Sequence, residues 1–498
     1  MNVLLLSMPD SFEHMPAFGT RIPNGALSSL AGNVDSHHRV AIADLILVQG
    51  KVRATVEDLI CRFDPDVVGL SIMTFQRKTA NAIMDLARSL KPGVAIVVGG
   101  YDPSLAVEAY TESLPHRADF IVRGEGEVTF RELLRAIENE GDFEQIAGLS
   151  FRDGDSFQHN PDRRVSSLDS DEIRPPNRGA RVLKGYTVIG RQVDVVETSR
   201  GCTYDCTFCS IIEMRGRNFH KFNFERVISD IRDAHKHGAR TIFFVDDNIT
   251  LNVKRFEALC QAIIDARLNR IDYIVQAMTS SIANSGETLA PLMRKAGFRY
   301  VFLGIENVVE DDLGFLKATA KNTSRKGGRR EGNASLRAIQ YLHENSMYVI
   351  GGLIVGNPGD RREEIETNLE FARRWIDWPY IQHPTPYPRT PMAADLHQRG
   401  LIKEYDVSKY DGTTSVVACE NLSGREIEFL RWKSELRMKL RHCPVMIAHD
   451  PLFMLRTSLR SFRFHFRGWS IWTFLGLENK WRAFERYCAI RERERAYL

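Results

Sequence analysis

The amino-acid sequence predicts an α/β chain in three parts: a doubly wound parallel-sheet domain, an open partial (β/α)6 barrel, and a helical C-terminal region. Three observations carry this. Short apolar runs, continuous rather than alternating, recur between amphipathic stretches from Met1 to about Glu140, as strands covered on both faces of a parallel sheet do. A second β/α series of six units then begins, too few for a closed eight-stranded barrel. From about Ser423 the pattern becomes helical, with many arginines and aromatic residues.

Taken in order, the first series offers strands at Val3–Leu6, Val40–Leu45, Val67–Ile72, Ala95–Val98 and Phe120–Val122, with helices such as Gln76–Leu90 and Ser104–Ser113 between them. This is the pattern of a Rossmann- or flavodoxin-like sheet, whose ligands sit outside the carboxyl ends of the strands. Ser71 to Phe75, Gly99-Gly100-Tyr101 and Arg123 to Glu127 fall there, and glycine lets backbone approach a bulky ligand closely. Residues from about Leu149 to Gln192, rich in Asp, Ser, Pro and Arg, read as a connector with little core of its own. The second series offers Val193–Thr198, Thr241–Val245, Tyr273–Gln276, Tyr300–Ile305, Tyr348–Val355 and Tyr380–His383, with helices at Phe224–His237 and Arg362–Trp375. Lys317 to Asn333 reads as a mobile surface loop. The expected divisions are 1–145, a connector 146–190, the partial barrel 191–395 and the helical part 396–498.

Composition narrows the function. Among 498 residues, 43% are hydrophobic and 26% charged, and the formal charge is only +3, which argues against wholesale nucleic-acid binding. No stretch approaches the roughly 20 apolar residues that span a bilayer. The run Val3–Leu6 is too short for a signal-peptide core, so a cytoplasmic protein is expected. Eight cysteines without a secretion signal are not a disulfide framework. Cys61, Cys260, Cys419, Cys443 and Cys488 are scattered and read as small hydrophobes, whereas Cys202, Cys206 and Cys209 lie within eight residues.

That trio follows the first strand of the second series. Thiolates at such spacing suit zinc or an iron–sulfur cluster. A closed zinc site wants four ligands, and His220 is the nearest candidate. Three thiolates on a cubane leave one iron open, which is what catalysis needs. The spacing C-x3-C-x2-C, with Phe208 just before the last cysteine, resembles the signature of the radical S-adenosylmethionine superfamily. The resemblance implies a [4Fe–4S] cluster on Cys202, Cys206 and Cys209. It implies that the open iron takes the amino and carboxylate groups of S-adenosylmethionine, and that one electron cleaves it to methionine and a 5′-deoxyadenosyl radical. It also implies that Phe208 and the loop Asp246-Asp247-Asn248 lie at the methionine end, that Glu306 bonds the ribose, and that Gly352, Ile354 and Gly356 contact the adenine.

Gly69-Leu70-Ser71, Val98-Gly99-Gly100 and the run Arg123 to Thr129 resemble the cobalamin-binding domain of B12-dependent enzymes in that superfamily. The resemblance implies cobalamin against Ser71, Thr74, Gly99, Gly100, Tyr101, Gly124, Glu125, Gly126 and Glu127. A flavodoxin-like domain with another ligand, or with none, is the plainer alternative. The histidine motif D-x-H-x-x-G of many cobalamin proteins does not occur within residues 1–145: Asp10 and His14 have the wrong spacing, and His37-His38 reads as surface turn. An uncoordinated lower face on cobalt is thereby expected.

The combined resemblance implies methylation of an unactivated carbon of a small or lipid-like metabolite, using methylcobalamin and the adenosyl radical, with a flavodoxin or ferredoxin as electron donor. Rival readings are a non-methylating relative (cyclisation, ring contraction or oxygenation) and a non-catalytic B12- or redox-responsive binding module. A transfer-RNA methylthiotransferase would need three further N-terminal cysteines, and only Cys61 lies there. His383, Thr385, Tyr387 and Arg389, at the last strand's end, are candidate substrate-pocket residues. From Arg431 to Leu498 there are 15 Lys/Arg against 6 Asp/Glu. Arg456, Arg460, Arg463 and Arg467 with interleaved aromatics read foremost as a helical cap packed on the barrel, and secondarily as a membrane-surface segment.

Overall fold

A computed structural model describes the chain except residues 12–18, 113–115, 165–167, 169–171, 327–328 and 450. His14 and Ser113 of the preceding section lie outside the described residues.

The first sheet has the order Arg39–Asp44, Asn2–Ser7, Val67–Ser71, Ala95–Gly99, Phe120–Val122, Leu149–Asp153, Ser156–His159. Its first five members are parallel. Numbered along the chain they run 2-1-3-4-5, a doubly wound order whose ligand crevice opens where the first and third strands part. Their continuous apolar runs reflect cover on both faces. Leu4 and Leu6 pack with Val56, Ile60 and Ile83 on one side, while Val3 and Leu5 pack with Leu27, Phe130 and Leu134 on the other.

The second sheet carries six parallel strands in chain order: Arg191–Val196, Thr241–Phe244, Asp272–Met278, Phe298–Glu306, Tyr348–Ile354 and Trp378–Gln382. Beyond the first of them it gains two antiparallel pieces, Thr187–Val188 and Thr20–Arg21. The latter comes from the N-terminal part, so the chain crosses between the two sheets. Outer helices bury the main core, with Phe244, Tyr273, Phe256 and Phe298 in mutual ring contact.

Five expectations need correction. The segment read as a connector continues the first sheet as an antiparallel hairpin with Leu149 and Phe151 buried. The helix expected at Ser104–Ser113 is two short ones, Tyr101–Leu105 and Glu108–Thr111, because Ala106 between them leaves helical geometry (φ −134°, ψ 51°). The Lys317–Asn333 loop contains a turn, Thr319–Asn322, followed by the strands Thr323–Lys326 and Arg329–Asn333, and it buries Asn322. Finally, Cys61 is exposed, while His38 is buried rather than at the surface. The C-terminal part is helical at Gly424–His449, Pro451–His465, Ile471–Phe474 and Lys480–Glu494.

Candidate active site

The cysteine segment leaves the first barrel strand at its carboxyl end and is tied down by two acids of the neighbouring strand's loop. Asp246 is buried and accepts hydrogen bonds from the Thr198 amide (2.8 Å), the Thr198 hydroxyl (2.6 Å) and the Ser199 hydroxyl. Burial pushes its carboxyl up to about 7, against the pull of those donors. Asp247 accepts from the Gly201 amide at 2.7 Å. Both acids, expected at S-adenosylmethionine, thus also hold the start of the loop. Gly201 has φ +92°, and a Cβ there would come 2.5 Å from the Asn218 carbonyl oxygen. Ser199–Arg200 pairs with His220–Lys221, closing the loop at its base.

Cys206 is buried, and Cys202 and Cys209 are half-buried. Burial pushes the Cys206 thiol up to about 11 and that of Cys209 to about 12, with the neighbouring thiols opposing ionisation too. Apolar surroundings thus resist free thiolates, and a metal centre is what would stabilise them. Among the described residues the one trio of candidate ligand atoms within 4.8 Å of one another is His37, His38 and Glu138. Cys202, Cys206, Cys209 and His220 thus do not form such a close group. The Asn248 amide lies 3.8 Å from Cys202 Sγ and 3.8 Å from Met278 Sδ.

Across from the loop, Glu306 ends its strand at a bulge, with φ +61° in the left-handed region that non-glycine residues avoid. Its carboxylate takes an ion pair from Lys321 at 2.6 Å. Burial disfavours the Lys321 ammonium, but Glu306 and Cys206 outweigh that and raise its pKa. The same ammonium stands 5.8 Å over the Phe208 ring. Phe208, Glu306 and the cysteine loop are thus brought together, with Lys321 as their shared cation. On the next strand a Cβ at Gly352 would meet the Phe302 ring at 2.9 Å, and one at Gly356 (φ +88°) would meet Ile427 at 2.9 Å. Ile354 packs with Leu316 and Met392, and its carbonyl accepts from the buried Asn307 at 3.0 Å.

Between the two sheets' carboxyl ends lies a cleft of about 400 Å³. From the first domain Ser71, Gly99, Gly100, Tyr101, Gly124, Glu125, Gly126 and Glu127 line it; from the barrel come Glu197, Arg200, Arg215 and Asp247. Thr74 is buried at the same strand end. Gly100 has φ +101° and leaves no room for a Cβ, which would stand 2.8 Å from the Ile72 carbonyl oxygen, while Gly124 (φ +72°) faces open space. Among the described residues, those that line the cleft include no histidine. An apolar floor of Leu5, Gly69, Val97 and Phe130 under a polar rim suits a large amphiphilic cofactor.

Glu125 and Glu127 were expected to meet that cofactor. They line the cleft and also reach across its edge: Glu127 accepts from Arg200 (2.7 Å) and Ser29 (2.7 Å), and Glu125 pairs with Arg215 (2.9 Å) and Arg200 (3.3 Å). Burial would raise the Glu127 carboxyl, but Arg200 and Ser29 bring it down to about 2. Tyr101, from the first domain, sits beside Arg215, Asp247 and Cys209. The cleft and the cysteine loop therefore adjoin.

The substrate-pocket residues scatter. His383 is buried, with Nδ1 2.9 Å from the Val355 carbonyl oxygen and Nε2 unpartnered. Thr385 is buried on its own turn, bonding the His383 carbonyl. The Tyr387 hydroxyl donates to the Tyr410 carbonyl at 3.1 Å, and Arg389 is exposed and pairs with Glu108 at 3.3 Å. Lys321, Arg200 and Arg215 escaped the sequence reading. The signals were an arginine directly before the glycine of the cysteine motif and a lysine in a polar segment, neither distinctive.

Residues 196–372 match the family model of the radical SAM superfamily, and residues 17–134 that of the B12 binding domain. An uncharacterized methyltransferase of Pyrococcus horikoshii is 29% identical over 454 residues, 90% of this chain and 94% of that protein. An anaerobic magnesium-protoporphyrin IX monomethyl ester cyclase of Cereibacter sphaeroides is 26% identical over 81% of this chain, which spans 63% of that protein. Among solved structures, the cobalamin-dependent S-adenosylmethionine radical enzyme OxsB, with aqua-cobalamin and S-adenosylmethionine bound, shares the fold. The TM-score is 0.67 at 18% identity, covering 100% of this chain and 76% of that one.

Proposed function

We propose that this chain, which belongs to the B12-dependent radical S-adenosylmethionine enzymes, methylates an unactivated carbon of a small or lipid-like substrate. The observation that carries the reading is the adjacency just described: Tyr101, Arg215 and Asp247 border both the interdomain cleft and the cysteine loop. When bound, a [4Fe–4S] cluster with S-adenosylmethionine supplies a carbon radical, and cobalamin supplies a transferable methyl group.

The chain's own residues do the rest. Cys202, Cys206 and Cys209 hold the cluster, leaving one corner for the nucleotide. Asn248 stands at Cys202, at the methionine end of that nucleotide. Glu306, kept in place by Lys321, takes the ribose hydroxyls, and Phe208 closes the side facing the loop. Gly352 and Gly356 bring the backbone against the adenine. Ser71, Gly99, Gly100 and Gly124 would let cobalamin settle at the first sheet's crevice. Buried ion pairs and apolar side chains keep water from the space between the cofactors, where a carbon radical must survive. A small flavodoxin or ferredoxin is the fitting electron source.

The cyclase among the relatives favours a second reading, ring formation by the same radical without methyl transfer. Incubating the reconstituted enzyme with an extract of its source cells and methyl-deuterated S-adenosylmethionine separates the two. Methylation places the label in a new product; a product without label, at equal 5′-deoxyadenosine formation, assigns ring formation instead.

A further inference from the structure

We infer that the C-terminal helices dock the enzyme on the surface of an anionic lipid bilayer, lying in its plane. No described helix is long and apolar enough to cross a membrane. The helix Pro451–His465 already has a partner on one side. Met454 packs with Ile274, Tyr300 and Tyr348 of the barrel sheet, Phe453 crowds Gly190, and Thr457 is buried.

Its other side is apolar and bare. Leu452, Leu455, Leu459 and Phe462, at three- and four-residue steps along one face, are exposed by 66, 74, 62 and 51%. Phe462 stacks on Phe474 at 6.0 Å, which joins this stripe to Ile471, Trp472, Leu475 and Leu477, all more than half exposed. A soluble chain rarely shows so large a continuous apolar surface without something to cover it.

Charge identifies the cover. Arg456, Arg460 and Arg463 repeat beside the apolar stripe and make no ion pair among the described residues, while Lys480 and Arg482 follow it. Between residues 451 and 482 six basic residues face one acid, Glu478, which Arg486 already neutralises at 2.6 Å. A second protein's apolar face would leave the arginines unmatched. Acyl chains beneath anionic headgroups match both stripes at once. Against the sequence-based preference for a cap packed on the barrel stands the exposure of Phe462, Trp472 and Phe474 by 51, 59 and 48%.

The test is co-sedimentation of the full-length protein with vesicles of phosphatidylcholine alone or mixed with phosphatidylglycerol, at low and high salt. The wild type should pellet at least about tenfold more with the anionic vesicles, less so at high salt. L455E/L459E/F462E should stay in the supernatant, and R456Q/R460Q/R463Q should lose the preference for anionic lipid. Both variants should keep the wild-type circular dichroism and iron content, since these side chains face away from the fold. Failure of the wild type to pellet, or pelleting unchanged in the triple glutamate variant, overturns the proposal. So does a wild-type dimer in solution that the glutamates dissociate, which would make a second copy the cover.

Discussion

Lys321 shows what one residue contributes to this site. Among the described residues its ammonium is the cation paired with the Glu306 carboxylate, and it also faces Phe208 and the cysteine thiols. Lys321→Met would leave a carboxylate with 11% exposure unpaired, at a cost of about 3 kcal/mol in chemical denaturation. The same variant should weaken S-adenosylmethionine binding, read by equilibrium dialysis. His383 makes a pH prediction. Burial holds its imidazole neutral and lowers its pKa from 6.5 to about 4. The unfolded chain therefore binds the proton first, so stability is full above about 6.5 and falls as pH drops towards 4, by about 3 kcal/mol for this group. Urea unfolding at pH 7 and pH 5 should show the fall in the wild type and a smaller one in His383→Gln. Single residues were the least legible scale. Cys202, Cys206 and Cys209 announce themselves by spacing, whereas the bonds by which Asp246 and Asp247 hold the Thr198–Gly201 turn do not. Lys321 lies 15 residues from Glu306, and only the chain's turn at Thr319–Asn322 joins them.

At the scale of elements, the strands were legible because cover on both faces imposes apolar runs that no solvent-facing segment imitates. What surrounds their ends was less so. The hairpin Leu149–Asp153 and Ser156–His159 was missed because its second strand is mostly exposed and polar, and so lacks an apolar run. The amphipathic stripe of Pro451–His465 reads alike whether it faces core or solvent; only packing of the opposite side decides. Turns at strand ends carry the geometry of the site through glycine. Gly201 and Gly100 both have positive φ with backbone oxygen where a Cβ would go. Gly201→Ala should cut the iron bound per chain by more than about half after anaerobic reconstitution, and Gly100→Ala should weaken hydroxocobalamin binding by about tenfold or more in absorbance titrations. Each change should weaken the other cofactor's binding less than its own, because the two turns belong to different sheets.

At the scale of the molecule, two α/β units are locked with their strand carboxyl ends facing one cleft. Arg200 joins Glu125 and Glu127 of one to Glu197 of the other; Arg178 and Arg181 share Asp194 beneath it; Thr20–Arg21 extends the opposite sheet. Burying so many charges is costly, and their pairing fixes how the domains meet. Their orientation is what makes one chamber of two cofactor sites, and the order of domains along the chain hinted at it without revealing the contacts. The account rests on three thiols holding an iron–sulfur cluster with one corner free for S-adenosylmethionine. Its most direct test is the formation of 5′-deoxyadenosine by anaerobically reconstituted, reduced protein, compared with the Cys206→Ala variant. The wild type should carry about four irons per chain and release 5′-deoxyadenosine with methionine, and the variant should release none. Iron-free wild-type protein, or equal release from the variant, would contradict the account.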